Sequence, residues 1–318
     1  MQLLKTIAAL SAMLVPAAGL AQSFPTETVT MVVPFSAGGS NDTLGRYLSE
    51  RLAGKWDATV VVENRPGAGA AIGANHVVQS QADGHTLLFV SGTLTTTGAT
   101  NRNLPFDPIT DLQPVGIAAF GTFVLVGGPR LGIESLQDLA DRAATETVFY
   151  GTTGVGSSPQ LTAELFAKTA GVTMEPVHYK GGTDALVDVA GSRIDLYAGT
   201  VTQVRSTLDA GKAVALAVAG RQRSAILPEV PTVAEAGFPG AEAEIWWGVF
   251  APAGTPMDIV EAINADINEI MNTEESQEFL ATNGAAPGNM TVPEFTDHVH
   301  SQLETWKQIA ANLNLYKD

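Results

Sequence analysis

Near its start the chain passes from a strand through a glycine turn into a helix without a break. Val29 to Phe35 is an apolar run of the length of a buried strand. Ser36-Ala37-Gly38-Gly39-Ser40-Asn41-Asp42 turns the chain, and Leu44, Leu48 and Leu52 then recur at helical spacing. Glycines in such a turn let backbone N–H groups face a bound group, and the helix end adds partial positive charge. Ser40, Asn41 and Asp42 are all good N-cap types. A strand that feeds a helix directly is the first half of a βαβ crossover. A plain βα turn with no ligand explains this loop equally well.

The alternation continues. Strands are expected at Thr59–Glu63 and Thr86–Val90, with a helix over Ala70–Gln79 between them. This pattern calls for an α/β fold with mostly parallel sheet. Ligands of such sheets sit outside the carboxyl ends of the strands. Thr93, just past the third strand, is therefore counted as a site candidate. Ser91 to Pro114 is polar and turn-rich, and Val115–Ala119 and Phe123–Val126 are two apolar runs. They read as a first crossing into a second domain. Ile245–Phe250 reads as the return, with Trp246 and Trp247 as packing. The expected domains are 22–120 with 251–318, and 121–250.

The second domain repeats the opening theme. Val148–Tyr150 is a short strand, followed by Gly151-Thr152-Thr153-Gly154-Val155-Gly156-Ser157-Ser158-Pro159 and a helix carrying Leu161, Leu165 and Phe166. Ser158 suits the N-cap, Pro159 the first helical position and Gly171 the stop. Lys180-Gly181-Gly182-Thr183-Asp184 and Gly199-Thr200-Val201-Thr202 open two further helices. Two anion-friendly helix starts, far apart in sequence, are thus expected to face each other across a cleft. Lys180 is in reach of an anion there, or is a solvated lysine at a domain edge.

Other chemistries lack their residues. There is no cysteine, hence no disulfide framework and no thiol nucleophile. Gly67-Ala68-Gly69 with Gly73 has a loose dinucleotide-like spacing, but no acidic residue ends the next strand to hold a ribose. Gly154-Val155-Gly156-Ser157 is not the Gly-x-Ser-x-Gly of a nucleophile elbow. His76, His85, His178, His298 and His300 lack metal-ligand spacing. No cofactor and no metal are expected. The formal charge of −16 argues against nucleic acid and anionic lipid as partners. It does not exclude an anionic ligand, because salt screens surface charge over about 8 Å and a pocket of backbone dipoles acts inside that distance.

Lys5, the apolar stretch Ile7–Leu20 and Gly19-Leu20-Ala21 read as an export leader over residues 1–21, cut after Ala21. No later segment is long and apolar enough to span a membrane, and lipid anchoring needs a cysteine. A protein free in the periplasm is expected.

The chain resembles the extracytoplasmic solute receptors of the tripartite tricarboxylate transporter system, the Bug or TctC family. The resemblance rests on Val33-Pro34-Phe35-Ser36-Ala37-Gly38-Gly39-Ser40 with Asp42 and Arg46, and on Val62-Glu63-Asn64-Arg65-Pro66-Gly67-Ala68-Gly69 with Ile72 and Gly73. It continues through Ala82-Asp83-Gly84-His85-Thr86, Leu104-Pro105-Phe106-Asp107-Pro108 and His178-Tyr179-Lys180-Gly181-Gly182. It closes on Leu227-Pro228-Glu229-Val230-Pro231-Thr232 and Ala251-Pro252-Ala253-Gly254-Thr255-Pro256. His178 stands where proline is common in the family and Ala70 where glycine is common.

The resemblance implies a two-domain, type II-like periplasmic binding fold that closes on its ligand. It implies a monomeric receptor, not an enzyme, for a di- or tricarboxylate, an aromatic acid or an amino acid, handed to a two-subunit membrane permease. It places ligand at Ser36 through Asp42 and, from the other domain, at Thr152, Gly154, Gly156, Ser157 and Ser158. Lys180, Gly181, Asp184, Thr200 and Thr202 would line the same side. Two alternatives stay open: a sensor subunit presenting ligand to a receptor kinase, and a secreted α/β enzyme on carboxylates.

Overall fold

The computed structural model of the chain describes residues 24–129, 132–313 and 315–316. The expected leader, residues 1–21, lies outside the described residues. In the first half, β1 (Val29–Val33) leads to α1 (Ser40–Trp56), β2 (Val60–Asn64) to α2 (Ala71–Val78) and β3 (Thr86–Ser91) to α3 (Thr93–Thr100). β1 lies between β2 and β3 and pairs with both in parallel. Leu44, Leu48 and Leu52 are the buried stripe of α1, as their spacing requires.

β4 (Leu112–Gly127) and α4 (Leu136–Ala143) follow. Ser135 caps α4 in a reciprocal box with Asp138. Then come β5 (Phe149–Thr152), α5 (Ser158–Ala170), β6 (Glu175–His178), α6 (Gly182–Ala190), β7 (Leu196–Thr200), α7 (Val201–Asp209) and β8 (Val214–Val218). β5 pairs in parallel with β6 and β7, a second βαβ arm. The chain returns through β9 (Glu244–Pro252), α8 (Met257–Met271), α9 (Glu274–Thr282), β10 (Ala285–Pro287) and α10 (Val292–Leu313).

The strand order β2-β1-β3-β9-β4-β7-β5-β6 joins the two parallel arms through β9 and β4, which are antiparallel to their neighbours. The fold is α/β, and the sheet as a whole is mixed. The two apolar runs at Val115–Ala119 and Phe123–Val126 are one strand, β4, because Phe120–Thr122 between them stays in the ladder with β9. At Thr122–Phe123 the partners change: Leu112–Thr122 pairs with β9, and Phe123–Gly127 with β7 and β8. β9 pairs along Glu244–Pro252 with β4, and its carboxyl half also with β3.

α3 is the element the sequence conceals. Thr93-Leu94-Thr95-Thr96-Thr97-Gly98-Ala99-Thr100 has poor helix propensity. Its hydroxyls bond back to the backbone: Thr95 to the Gly92 carbonyl at 2.8 Å and Thr100 to that of Thr96 at 2.9 Å. Thr97 reaches across to the Gly69 carbonyl at 2.8 Å. Buried threonines satisfied in this way fit a helix despite their β-branching.

The core runs under both arms. Trp247 and Phe250 on β9, Phe89 on β3, Phe123 on β4 and Phe295 on α10 are fully buried. Among the described residues no helix is long and apolar enough to cross a membrane. Truncating the largest of these side chains tests the crossing. Trp247→Ala is expected to lower the unfolding free energy by about 3–5 kcal/mol, followed by far-ultraviolet circular dichroism in urea. A loss under about 1 kcal/mol would show that β9 is held mainly by its backbone ladder.

Candidate ligand-binding site

The carboxyl ends of the two parallel arms point at one cavity. Its walls bound about 360 Å3 of non-atom space, part of it open to solvent. Helix starts surround it. Ser40 opens α1, Thr93 opens α3, Pro159 lies in the first turn of α5, Gly182 opens α6 and Thr200 is the N-cap of α7; all five line the wall. The first turn of a helix leaves its N–H groups without intrahelical partners. The N-caps of α1 and α6 are glycines, and Ser157 makes no side-chain cap bond to α5. The amide donors at the starts of α1 and α6 are therefore not taken up by capping side chains, whereas at α5 the Ser158 amide donates to Thr93 Oγ1 at 3.4 Å.

Side chains complete the wall. Two buried oxygens on it have no hydrogen-bond partner: Asn41 Oδ1 and Thr153 Oγ1. Buried polar atoms of a native fold are nearly always paired, so these two mark a place for a polar guest or water. Phe35, Phe123, Pro159 and Ile245 supply apolar surface. Among the described residues that line the cavity, none is Asp, Glu, Lys, Arg or His. The arrangement offers dipoles and hydroxyls without formal charge, which suits one compact anion.

The residues singled out in the sequence fall into three groups. Ser36, Gly39, Ser40, Asn41, Thr93 and Thr200 line the cavity. Ala37, Gly38, Lys180 and Asp184 are exposed. Asp184 accepts from the Ser36 hydroxyl at 3.4 Å, which ties α6 to the first turn. The rest stand behind the wall. Thr152 bonds His178 Nδ1 at 2.6 Å, Ser157 Oγ accepts from the Thr153 amide at 3.3 Å, and Thr202 donates to the Asn283 carbonyl at 2.8 Å. Ser158 shares hydroxyl bonds with Thr93 and Thr96, at 3.2 and 3.4 Å, and so joins α5 to α3.

Gly154 and Gly156 close the space between the arms. Gly154 has φ +119°, and a Cβ there would lie 2.6 Å from the Gly69 amide nitrogen. Gly156 has φ +77°, and a Cβ would meet Thr100 Oγ1 at 1.9 Å. Both positions need glycine, for conformation and for room. Gly181 packs its backbone against Ser36 in the same way, with 2.8 Å from a Cβ to the Ser36 Cβ.

Asp42 is spent on architecture. Its carboxylate accepts from the Gly38 amide, Arg46 Nε and Asn64 Nδ2, each at 2.9 Å. Asn64 also donates to the Phe35 carbonyl at 3.1 Å, so the group locks the first turn to the end of β2. Burial pushes the Asp42 carboxyl up, but Arg46, the Gly38 amide and Asn64 outweigh it and hold it below the usual carboxylate range.

Sequence reasoning did not find Phe35, Ser91, Phe123, Pro159, Tyr197, Gln203 or Ile245 on the wall. Ser91 and Tyr197 lie on β3 and β7 and Gln203 in the first turn of α7, so the rule that ligands sit at strand ends carried a signal for them. Phe123 and Ile245 come from the crossing strands and carry none. Elsewhere, Glu27, Asp83 and His85 bring three potential metal-ligand atoms together. The Thr26 amide donates to His85 Nε2 at 3.1 Å, so the ring proton sits on Nδ1, 3.3 Å from Asp83.

Comparison with known proteins identifies the lineage. A model of the tripartite tricarboxylate transporter family receptor, TctC, matches residues 44–315. The chain belongs to this receptor family. BugT of Bordetella pertussis, a TctC-family relative, is 33% identical over 290 residues, covering 90% of this chain and 89% of that protein. Among solved structures, Rpa4515 of R. palustris with adipate superposes with a TM-score of 0.89 at 33% identity, over 92% of this chain and 99% of that one. MatC from Rhodopseudomonas palustris with bound malate gives 0.86 at 28%, over 90% and 99%. The TctC family is one of solute receptors rather than enzymes, and works with tripartite transporters.

Removing the charge of the Asp42 brace tests its role in this receptor. Asp42→Asn is expected to lower the unfolding free energy at pH 7 by about 1–3 kcal/mol. A carboxyl held low in the folded state stabilises above its ordinary pKa, and that contribution is lost as pH falls through the lowered value. Wild type should therefore lose its advantage over the variant in acid. Equal denaturation midpoints at both pH values would remove Asp42 from the account.

Proposed function

We propose that the chain is an exported periplasmic receptor that captures a small carboxylate between two lobes. It then passes the guest to the two membrane subunits of a tripartite tricarboxylate transporter. The observation that carries this reading is the meeting of five helix starts, from both arms of the sheet, on one cavity without charged side chains. The leader is cut after Ala21, and the receptor acts as a monomer. The lobes are residues 22–120 with 251–318, and 121–250. The change of partners on β4 at Thr122–Phe123 supports the first boundary. β9 pairs with β3 and with the Leu112–Thr122 part of β4, an argument for ending the second lobe before Glu244 rather than at 250.

The energetics suffice without a cation. Micromolar affinity needs about 8 kcal/mol. A hydrogen bond to a charged group contributes roughly 1.5–3 kcal/mol, and a partly buried helix end up to about 2 kcal/mol. Four or five such bonds cover the requirement, after about 4 kcal/mol or more is lost to association. Adipate and malate, the ligands in Rpa4515 and MatC, are acids of this kind. No carboxylate on the wall stands ready to meet an ammonium group. This favours simple di- and tricarboxylates over amino acids. Because the wall belongs to both lobes, ligand favours the closed form, a population shift toward the state in which both contact it.

Calorimetric titration with succinate, L-malate, adipate and citrate tests the reading, with small-angle scattering on any acid that binds. Heat release and a contracted particle are expected with at least one. Thr153→Val keeps the side-chain shape and removes one unpartnered hydroxyl from the wall. It should weaken that acid about tenfold or more. Binding untouched by Thr153→Val would move the ligand to another place, and turnover of the acid would make the protein an enzyme.

A further inference from the structure

One side of the cavity is thin. Gly39, Gly182 and Gln203 face the cavity, while their chain neighbours Gly38, Thr183 and Thr202 line a groove on the outer surface beside α6 and α7. Among the described residues only Gln203 lines both spaces. It stands as the partition between them. The partition also lies on the seam of the two arms, since Gly39 caps α1 whereas Gly182 and Gln203 belong to α6 and α7.

The amide of Gln203 has a fixed sense. Its Oε1 accepts from the Thr200 amide at 3.2 Å and from the Tyr197 hydroxyl at 3.3 Å. A backbone N–H can only donate, so the atom facing Thr200 is the oxygen. The NH2 group is thereby turned toward the two glycines. A Cβ at Gly182 would lie 2.4 Å from Nε2, and one at Gly39 3.2 Å from it. The Cβ at Gly182 would also meet the Tyr197 hydroxyl at 2.1 Å, so glycine there is what leaves the amide its place. The two ends of the amide thus have different tasks. The oxygen is the capping partner of Thr200 at the start of α7. No hydrogen bond links the NH2 group to another of the described residues.

We propose that Gln203 is a specificity-determining residue of the receptor: its NH2 group donates to an acid group of the guest, and its side chain ends the cavity and so limits guest length. This rests on the reading of the cavity as the ligand site. A neutral amide adds a donor to the wall without the desolvation cost of a buried cation. The groove beyond it is the space a longer guest would need. Among the described residues that line this groove, Lys212 is the one with a charge. Shortening Gln203 joins cavity and groove. A longer diacid then keeps one carboxylate in the cavity and sets the other on the Lys212 side of the partition.

The test compares wild type with Gln203→Glu and Gln203→Ala by calorimetric titration with succinate, L-malate, adipate, citrate and the longer suberate. Thermal unfolding of each protein is followed in parallel. Gln203→Glu keeps an acceptor for Thr200 and Tyr197, because glutamate serves a capping box as well as glutamine does. It puts a negative oxygen where the NH2 group was. Its unfolding midpoint should stay with wild type, while the acid that wild type binds best weakens about tenfold or more. A residue that only caps α7 would leave that affinity unchanged. Gln203→Ala should change the ranking, with suberate gaining about tenfold on the best wild-type acid. Equal affinity in Gln203→Glu and wild type overturns the proposal. So does a Gln203→Ala ranking like that of wild type, or a wild type that already binds suberate best. If Gln203→Glu does not fold, the Gln203→Ala ranking decides. If wild type binds none of the five acids, the reading of the cavity fails and this assignment with it. If wild type binds and both variants follow it, the assignment alone fails.

Discussion

Backbone amides at the starts of helices need partners, and this fold gathers five such starts around one space. The strands fix their directions, since each parallel arm delivers its helices to the same edge of the sheet. The antiparallel strands β4 and β9 then join the arms with those edges facing each other. Glycine at 154, 156 and 181 lets the backbones of the two sides come into contact. Much of the remaining polar structure keeps the turns in place. Asp42 and Asn64 hold the first, while Ser157 and Gln160 hold the second.

An acidic chain with a cavity walled by helix starts and hydroxyls is not a contradiction. The cationic side chains of α1 are engaged with acids: Arg46 with Asp42, Arg51 with Glu275 and Lys55 with Glu269. The negative exterior favours solubility and repels nucleic acid. Within the cavity, distances are a few ångströms, so partial charges on amides outweigh screened charges farther away.

Much of this was legible in the amino-acid order. The βα alternation, the cap at Ser135 and the stop at Gly171 are local signals, and local structure obeys them. The two glycine turns also mark the rims of the cavity. What the sequence hid depends on tertiary contact. α3 looks like a loop until its threonines find carbonyls. β4 looks broken because Gly121 weakens the pattern, yet β9 carries it across. Phe123 and Ile245 reach the wall only because of where the crossing strands lie. Conversely, Asp42 and Ser158 have the right chemistry for a ligand, but neighbours in the fold engage both.

The two kinds of surface in the cavity have separate origins, and that separation shapes how such receptors diversify. The amide donors at the helix starts belong to main chain, which substitution hardly alters. The apolar patches come from Phe35, Phe123, Pro159 and Ile245, side chains free to shrink or grow. A lineage can thus exchange one guest for another by trimming a phenyl or an isoleucine while the grip on its acid group passes unchanged from parent to descendant.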